Sequence, residues 1–397
     1  MKLNLKKLIA VFCIVSLILL QLSGAMAAST DPIFTADDLF SSRDLRQEAD
    51  LTDAVYYTVS DGADIRITAA GVYVLSGSAA NVTVYVEAGD DDKVQLVLDG
   101  LTVTNTSFPV IYVRSADKVF ITTSADSSLS VTGAFAADGS TNTDGVIFSR
   151  SDLVLNGTAT LNISSTDNGV VSKDDLKITG GTYAITAASK ALQANDSIRV
   201  ADGMLTLVAG TDGLHAENDE DDTLGYVYIG GGTLTIQAGD DGIHATSVIQ
   251  IDGGALTIQA AEGIEATYIQ INGGAISITA SDDGINAARK SSAYTATVVI
   301  NDGDITVSMG AGDTDGIDSN GNIIVNGGTV RVTGNSTFDY DGTAQYNGGV
   351  IICNGQQVSS IPNQVMGGMG GGSYGGQANS GGDWGASSGG QGGRRMH

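Results

Sequence analysis

Short runs of alternating apolar and polar residues follow one another along most of the chain, and the whole pattern recurs about every twenty residues. The four clearest copies are Ser197–Ala216, Tyr226–Ala245, Val248–Ala266 and Tyr268–Ala287. Each copy has two alternating runs, a turn ending in Asp-Gly or Glu-Gly, and a short third run. A period of two predicts strands with one buried face, and repetition at this length predicts a solenoid.

The copy Val248–Ala266 shows which side chains are expected to point inward. They are Ile249, Ile251, Leu256, Ile258, Ile264 and Ala266. Gly pairs and Asp-Gly pairs mark the corners, where we expect glycine to adopt positive φ at little cost. No segment with a helical period separates the strands, so the sequence predicts an all-β, single-stranded parallel β-helix with coils about 4.8 Å apart.

The two ends of the chain differ from the repeats. A basic start is followed by an apolar run from Leu8 to Leu22 and by Ala25-Met26-Ala27, which predicts a signal peptide over residues 1–27 and a secreted protein. We expect a cap or linker over 28–54, including a short helix between Asp37 and Asp50. The β-helix then covers 55–362, and residues 363–397 are rich in Gly and predict a disordered tail.

Composition limits the partners. The formal net charge is −26, which argues against nucleic acid and anionic membranes and favours multivalent cations. The apolar run near the N-terminus is short for a membrane span, so we expect no membrane insertion. Cys353 would be alone after removal of the signal peptide, which excludes an intramolecular disulfide. We expect a monomer.

The turn that closes each coil carries acidic residues, which stacking would align along one edge. The predicted metal-binding residues of this edge are Asp212, Asp240, Asp241, Glu262, Glu265, Asp282, Asp283, Asp313, Asp315 and Asp318. Asp-Gly is also ordinary turn chemistry, which explains each acid taken alone. Carboxylates stacked about 5 Å apart repel one another, however, and oxygen ligands suit calcium. We therefore predict calcium along this edge.

Two polar columns are predicted to contact a glycan. His215 and His244 share one position on successive coils; zinc would need a third ligand that the sequence does not reveal, so we expect hydrogen bonds to sugar. A second column on the first strand of each coil consists of Lys177, Arg199, Tyr228, Gln250 and Gln270. An ordinary solvated face would account for it, but aromatic and basic groups at regular steps also suit an extended uronate polymer.

The run Ile67–Asn105, together with the corners DGIHA and DGINA, resembles a secreted carbohydrate-binding β-helix family of clostridial type. The resemblance covers most of the chain, from about Thr58 to about Gly349. It implies a right-handed parallel β-helix similar in fold to calcium-dependent pectate lyases. It also implies bound calcium and the binding of polygalacturonate and cellulose.

The resemblance also carries residues over. Asp212, Asp241 and Asp283 match the corner acids of the family, and Glu262 replaces an aspartate with a residue that still ligates calcium. Lys190 departs from the pattern because it places an ammonium group where an acid is expected.

Three functions fit these observations. The first is an extracellular, non-catalytic protein that binds acidic plant polysaccharide (polygalacturonate or pectin) and cellulose with the help of calcium. The second is a calcium-dependent polysaccharide lyase with Lys190 as its base, although the neighbouring Asp212 favours the charged lysine, which is wrong for a base. The third is a structural surface adhesin that binds no glycan.

Overall fold

The computed structural model describes residues 31–311 and 314–363. The predicted signal peptide, nearly all of the predicted tail and Asp313 lie outside these residues. Within them the chain winds into coils that each add one strand to three parallel stacks, as in a parallel β-helix. The predicted fold is thereby confirmed.

The first stack is formed by the first strand of each coil. Its strands are Val55–Thr58, Gly71–Ala80, Lys93–Asn105, Lys118–Ala125, Asp152–Gly157, Asp175–Ile178, Ser197–Val200, Tyr226–Ile229, Val248–Ile251, Tyr268–Ile271, Thr297–Ile300, Asn322–Val325 and Ala344–Tyr346. The long strands Gly71–Ala80 and Lys93–Asn105 continue into the second stack, which joins the two stacks in one sheet.

The second stack follows the Gly-containing corner. Its further strands are Ser127–Val131, Thr160–Ser165, Thr182–Ala187, Met204–Ala209, Thr233–Gln237, Ala255–Ala260, Ala275–Ala280, Asp304–Met309, Thr329–Thr333 and Val350–Cys353. Gln356–Val358 pairs antiparallel with the last of these strands.

The third stack follows the acidic corner and forms a separate sheet. Its strands are Ile65–Ile67, Val84–Glu87, Ile111–Ser115, Gly145–Ser149, Asn168–Ser172, Leu192–Ala194, Leu214–Ala216, Asp241–Ala245, Glu262–Ala266, Ile285–Ala287, Asp315–Ser319 and Ser336–Tyr340.

The apolar half of each alternating run fills the interior of the coil. Ile249, Ile251 and Ile264 are fully buried, and Leu256 and Ile258 are 1% exposed. Like side chains stack on like along the axis, because each strand pairs in register with the equivalent strand of the next coil. Burial of such a side chain contributes about 1.5–3 kcal/mol, so the repeated interior stabilises the fold without disulfides.

The two kinds of corner need glycine for different reasons. Gly254, at the corner between the first two strands, has a φ of +96°, as expected. Gly242 of the Asp-Gly corner does not have a positive φ; a Cβ there would collide with the Ile258 side chain and the carbonyl oxygen of Gly263. The expectation of positive φ at the Asp-Gly corner is therefore wrong, because that glycine serves close packing between coils.

Residues 31–50, called here the N-terminal segment, do not cover an end of the coil stack. They run along the outer face of the first stack, from Gln270 back towards Lys118. The helix expected between Asp37 and Asp50 is reduced to Ala36–Leu39, with turns after it. No helix in the described part of the chain is long and apolar enough to cross a membrane.

Candidate functional site

The acidic edge is called here the corner edge: the start of each third-stack strand from Leu214 to Ser319, with the turn before it. Strand register pairs His215 with His244, His244 with Glu265, and Asp241 with Glu262 on successive coils. The column continues from Glu265 to the next two coils through Asn286 and Asp318. The alignment predicted from the repeat spacing is thus present.

Some corner side chains use one oxygen to accept a hydrogen bond from the backbone of the next coil. Asp283 Oδ1 accepts a hydrogen bond of 3.0 Å from the backbone N–H of Asp315 on the next coil. Asn168 Oδ1 accepts an equivalent bond of 3.0 Å from the N–H of Lys190. Since asparagine serves this role as well as aspartate, turn structure alone does not require the charge at these corners.

Asp241, His244 and Glu265 form a buried group in the middle of the corner edge. His244 Nδ1 lies 2.6 Å from Asp241 Oδ2 and 3.3 Å from Glu265 Oε2. One ligand atom from each residue lies within 4.8 Å of the other two, so the group could hold a metal ion. No other group of this kind occurs among residues 31–311 and 314–363.

Neighbouring groups balance the charge of this part of the edge. His215 stacks on His244 with ring centroids 4.6 Å apart, and its Nε2 lies 3.1 Å from Glu217 Oε2. Lys290 Nζ lies 2.8 Å from Glu265 Oε2. Lys190 Nζ lies 3.9 Å from Asp212 Oδ2, as its place in the column predicted.

These contacts set the protonation of His244. Burial alone would lower the pKa of its imidazole, but hydrogen bonds to Asp241 and Glu265 outweigh burial and raise the pKa to about 9. Burial likewise opposes ionisation of Glu265, yet its bonds to His244 and Lys290 lower its pKa. Burial, with the charges of Glu265 and Asp212, raises the pKa of Asp241 despite its bond to His244. At neutral pH an imidazolium therefore lies between the two acids.

Glu262, Asp283 and Asp318 form the other part of the edge, and they lack such balance. Burial, followed by the charge of Glu265, raises the pKa of Glu262 to about 7. Burial and neighbouring acids raise the pKa of Asp283 to about 6 and that of Asp318 to about 7. The charges acting on all three are those of other carboxylates, so a cation would relieve this part of the edge.

Asn286 adds a neutral oxygen to this second part. Its Nδ2 donates a 3.1 Å hydrogen bond to Glu262 Oε2, while its Oδ1 is buried and accepts no hydrogen bond. Asp315 is half-buried beside Asp283. Asp240 and Asp282 are exposed at the outer side of the corner, outside the Asp241, His244 and Glu265 group. Asp313 lies outside the described residues.

The first-strand column predicted as a glycan-binding face is covered. Gln250 and Gln270 are fully buried and Tyr228 is 2% exposed, because the N-terminal segment lies on them. Gln250 accepts a 2.8 Å bond from Phe34 N–H and donates a 2.9 Å bond to Phe34 O. Gln270 does the same with Ile33 N–H and Asp31 O. Both amides thus use their hydrogen-bonding groups within the protein.

The basic members of that column are also occupied. Lys177 Nζ lies 3.3 Å from Asp44 Oδ2, and Arg199 pairs with Asp175 at 2.7 Å. Tyr228 packs near Phe40, with ring centroids 6.1 Å apart. The expectation that this column is a solvent-facing surface for sugar is therefore wrong, although its register is as predicted.

The histidines need a correction too. His215 and His244 are buried, and their ring nitrogens face acids, so they do not form an open sugar-binding surface. The sequence reveals no third metal ligand beside the two histidines; in the structure the group that could hold a metal contains only one of them, His244, together with Asp241 and Glu265. The signal was present in the spacing: the Asp precedes its His by three residues, and the Glu occupies the His position one coil later.

Comparison with known proteins places the chain in a family. A family model of carbohydrate-binding domain-containing proteins matches residues 61–310. A carbohydrate-binding domain-containing protein of Acetivibrio thermocellus is 33% identical over 129 residues, which cover 31% of this chain and 45% of the relative. The match thus spans less than half the length of that relative.

A solved structure is also similar. It is that of the polysaccharide lyase-like protein from C. thermocellum, a gadolinium derivative, with 30% identity and a TM-score of 0.50. The similarity covers 53% of this chain and 92% of that one. With the family model matching well over half of the chain and this structure matched over most of its length, the chain belongs to the family of carbohydrate-binding domain-containing proteins.

Proposed function

We propose that the protein is an extracellular, non-catalytic binder of acidic polysaccharide such as polygalacturonate, with calcium held on the corner edge as the bridge. The observation that carries this proposal is a set of three carboxyl groups, Glu262, Asp283 and Asp318. The charges that act on them most strongly are those of other acids. Membership of a carbohydrate-binding family supports the glycan as partner.

The donor atoms of this part of the edge fit calcium. Carboxylates from Glu262, Asp283 and Asp318 and the free amide oxygen of Asn286 are all oxygen donors, and calcium takes six to eight of them in flexible geometry. Asp241, His244 and Glu265 are the described residues whose ligand atoms already lie within 4.8 Å of one another, so calcium binding by the three acids of the second part would require their carboxylates to move closer together. Positions that the protein does not fill would remain for water or for uronate carboxylates.

The charge of the protein makes a bridge necessary. A chain with a formal net charge of −26 repels a polyanion at long range. The cationic column that would otherwise receive uronates, Lys177 and Arg199, is engaged by Asp44 and Asp175 under or beside the N-terminal segment. A calcium ion shared between protein and uronate carboxylates overcomes the repulsion.

Binding without catalysis agrees with the environment of Lys190. Its ammonium lies near Asp212, whose other contacts are His215 and the N–H of Asp241, so it completes a charge network. A lyase base must instead be able to lose its proton. The appearance of unsaturated uronates in the presence of calcium, lost in Lys190→Ala, would support the lyase alternative.

The test is the affinity of the full chain for polygalacturonate after chelation and after calcium is restored. We expect chelation to weaken binding at least tenfold and calcium to restore it. Asp318→Asn should weaken calcium-dependent binding, whereas the control Asp202→Asn, an exposed acid at a Gly corner outside the edge, should not. Unchanged affinity after chelation would contradict the calcium bridge.

A further inference from the structure

We propose that Asp241, His244 and Glu265 form a second metal site, specific for a divalent transition ion of the zinc class and separate from the calcium ligands. The site is independent of the proposed polysaccharide binding. The proposal is based on three side chains on two adjacent strands, Asp241–Ala245 and Glu262–Ala266, which pair in parallel register.

The geometry is that of a three-ligand site. His244 Nδ1 faces both acids, 2.6 Å from Asp241 Oδ2 and 3.3 Å from Glu265 Oε2. All three residues are more than nine-tenths buried, at 6%, 9% and 8% exposure. Zinc sites with three protein ligands keep a fourth position for water or a ligand.

The donor type separates this site from the rest of the edge. Imidazole nitrogen suits zinc, copper and nickel, whereas calcium and magnesium prefer oxygen alone. The chain contains three histidines, and two of them, His215 and His244, stand on consecutive coils of this edge. A turn motif reused for structure does not need histidine there, since Asn286 and Asp318 fill the same column elsewhere.

His215 forms a second Asp-His pair beside the first. It is 7% exposed, and its Nδ1 lies 2.8 Å from Asp212 Oδ2. Its ring stacks on His244 at an interplanar angle of 21°. Two adjacent Asp-His pairs on consecutive coils concentrate imidazole and carboxylate groups in this part of the edge.

Of the three ligands, His244 borders a pocket of about 400 Å³ that is also lined by Lys290 and by residues of the insertion Glu217–Asp222. Lys290 occupies the position of a cation, with its Nζ 2.8 Å from Glu265 Oε2. An ion bound by Asp241, His244 and Glu265 would take over the partner of Lys290. The ammonium group would then be free to turn into the pocket.

The test compares zinc and calcium binding by the untagged, metal-free full chain in calorimetric titrations. We expect one zinc ion per chain at this site. His244→Gln and Glu265→Gln should each weaken zinc binding at least tenfold with little change for calcium. Asp318→Asn is the matched control and should do the reverse. Zinc affinity unchanged in both His244→Gln and Glu265→Gln would overturn the proposal.

A second readout covers the case in which those variants do not fold. Cobalt(II) added to the wild-type chain should give the intense visible absorption of a four-coordinate site, and zinc should abolish it while calcium should not. The weak spectrum of a six-coordinate ion, or displacement of cobalt by calcium, would contradict the proposal. Failure here leaves calcium-dependent binding of polygalacturonate unaffected, so the two proposals fail separately.

Discussion

The two parts of the corner edge occupy equivalent places in the coil and yet differ in charge balance. Around Asp241, His244 and Glu265, histidine and lysine side chains match the acids. The charges that act most strongly on Glu262 and Asp318 are those of other acids. The repeat thus fixes where donors stand, while single substitutions within a column decide which cation the position suits.

Glu262 and Glu265 show how local this difference is. They lie three residues apart on one strand, but the pKa of Glu262 is raised to about 7 and that of Glu265 is lowered. His244 and Lys290 contact Glu265, whereas Asn286 is the hydrogen-bond partner of Glu262. Contacts with the preceding coil, the next coil and the loop after it, not position along the strand, determine the ionisation of the two glutamates.

Removal of the imidazolium should have the largest effect on stability. His244→Ala leaves Asp241 and Glu265 buried with less compensation, so we expect a loss of about 3–5 kcal/mol in the metal-free protein at pH 7. Urea denaturation followed by circular dichroism measures it. The exposed Gln259→Ala serves as control, with an expected change below about 0.5 kcal/mol. A loss under about 1 kcal/mol for His244→Ala would show that the acids do not need the imidazolium.

Asp44 provides a reference for a buried carboxylate whose charged partners are lysines. It is 1% exposed and lies 3.3 Å from Lys177 Nζ and 3.6 Å from Lys118 Nζ. Asp44→Ala should cost about 3 kcal/mol, because the buried Lys177 loses its ion pair and Lys118 keeps only its contact with Asp152. Urea denaturation measures this loss. In limited proteolysis, the N-terminal segment of Asp44→Ala should be cleaved faster than that of the wild type, and equal cleavage rates would show that Asp44 does not hold the segment in place.

Stability of the metal-free protein should fall as pH rises from about 5 to 8. Glu262, Asp283 and Asp318 keep their protons in the folded state after the unfolded chain has lost them, so deprotonation through pH 6–7 costs stability. His244, with its pKa raised to about 9, acts in the same direction between about 6.5 and 9. Thermal melting in chelator measures the trend, which a rising melting temperature would refute.

Calcium should reverse this loss at pH 8 and do little at pH 5. An ion at one hundred times its dissociation constant adds about 2.7 kcal/mol to the free energy of unfolding. At pH 5 the acids that would bind it are largely protonated, so its effect should shrink. Magnesium at the same concentration is the control for ionic strength, and an equal effect of both ions would argue against a calcium site.

Removing a charge from the part of the edge that contains Glu262, Asp283 and Asp318 should stabilise the metal-free protein, whereas His244→Ala should destabilise it. Glu262→Gln removes a half-buried charge that other acids oppose, and we expect a gain of at most about 1 kcal/mol after solvent screening at pH 8. Exposed Glu220→Gln is the matched control. A loss of stability in Glu262→Gln would show that the carboxylate is already balanced.

The sequence predicts the coil and its columns because the repeat spacing translates directly into strand register. Ile264 and Ala266 are buried, and His215, His244 and Glu265 align, as the spacing requires. The sequence does not show whether the glycine of an Asp-Gly corner, such as Gly242, is there for a positive φ or for close packing between coils, because both select glycine.

The sequence does not predict which columns are exposed to solvent. Its pattern indicates a solvent-facing first-strand column, yet Phe34 and Asp44 of the N-terminal segment cover that column. That segment has no repeat, and its docking involves contacts more than 130 residues apart, which no local pattern reveals. The ion pair between Lys290 and Glu265 is likewise not predictable from a local pattern. Lys290 lies in the loop after the Ile285–Ala287 strand and contacts Glu265 on the previous coil.

The most direct test of the account is a calcium titration of the metal-free full chain at pH 8, compared with Glu262→Gln and Asp318→Asn. We expect the wild-type chain to bind calcium and each of these two variants to bind it at least tenfold more weakly, while His244→Gln binds it as the wild type does. A wild-type chain that binds no calcium, or variants that bind it unchanged, would contradict the division of the corner edge into an oxygen part and a nitrogen-containing part.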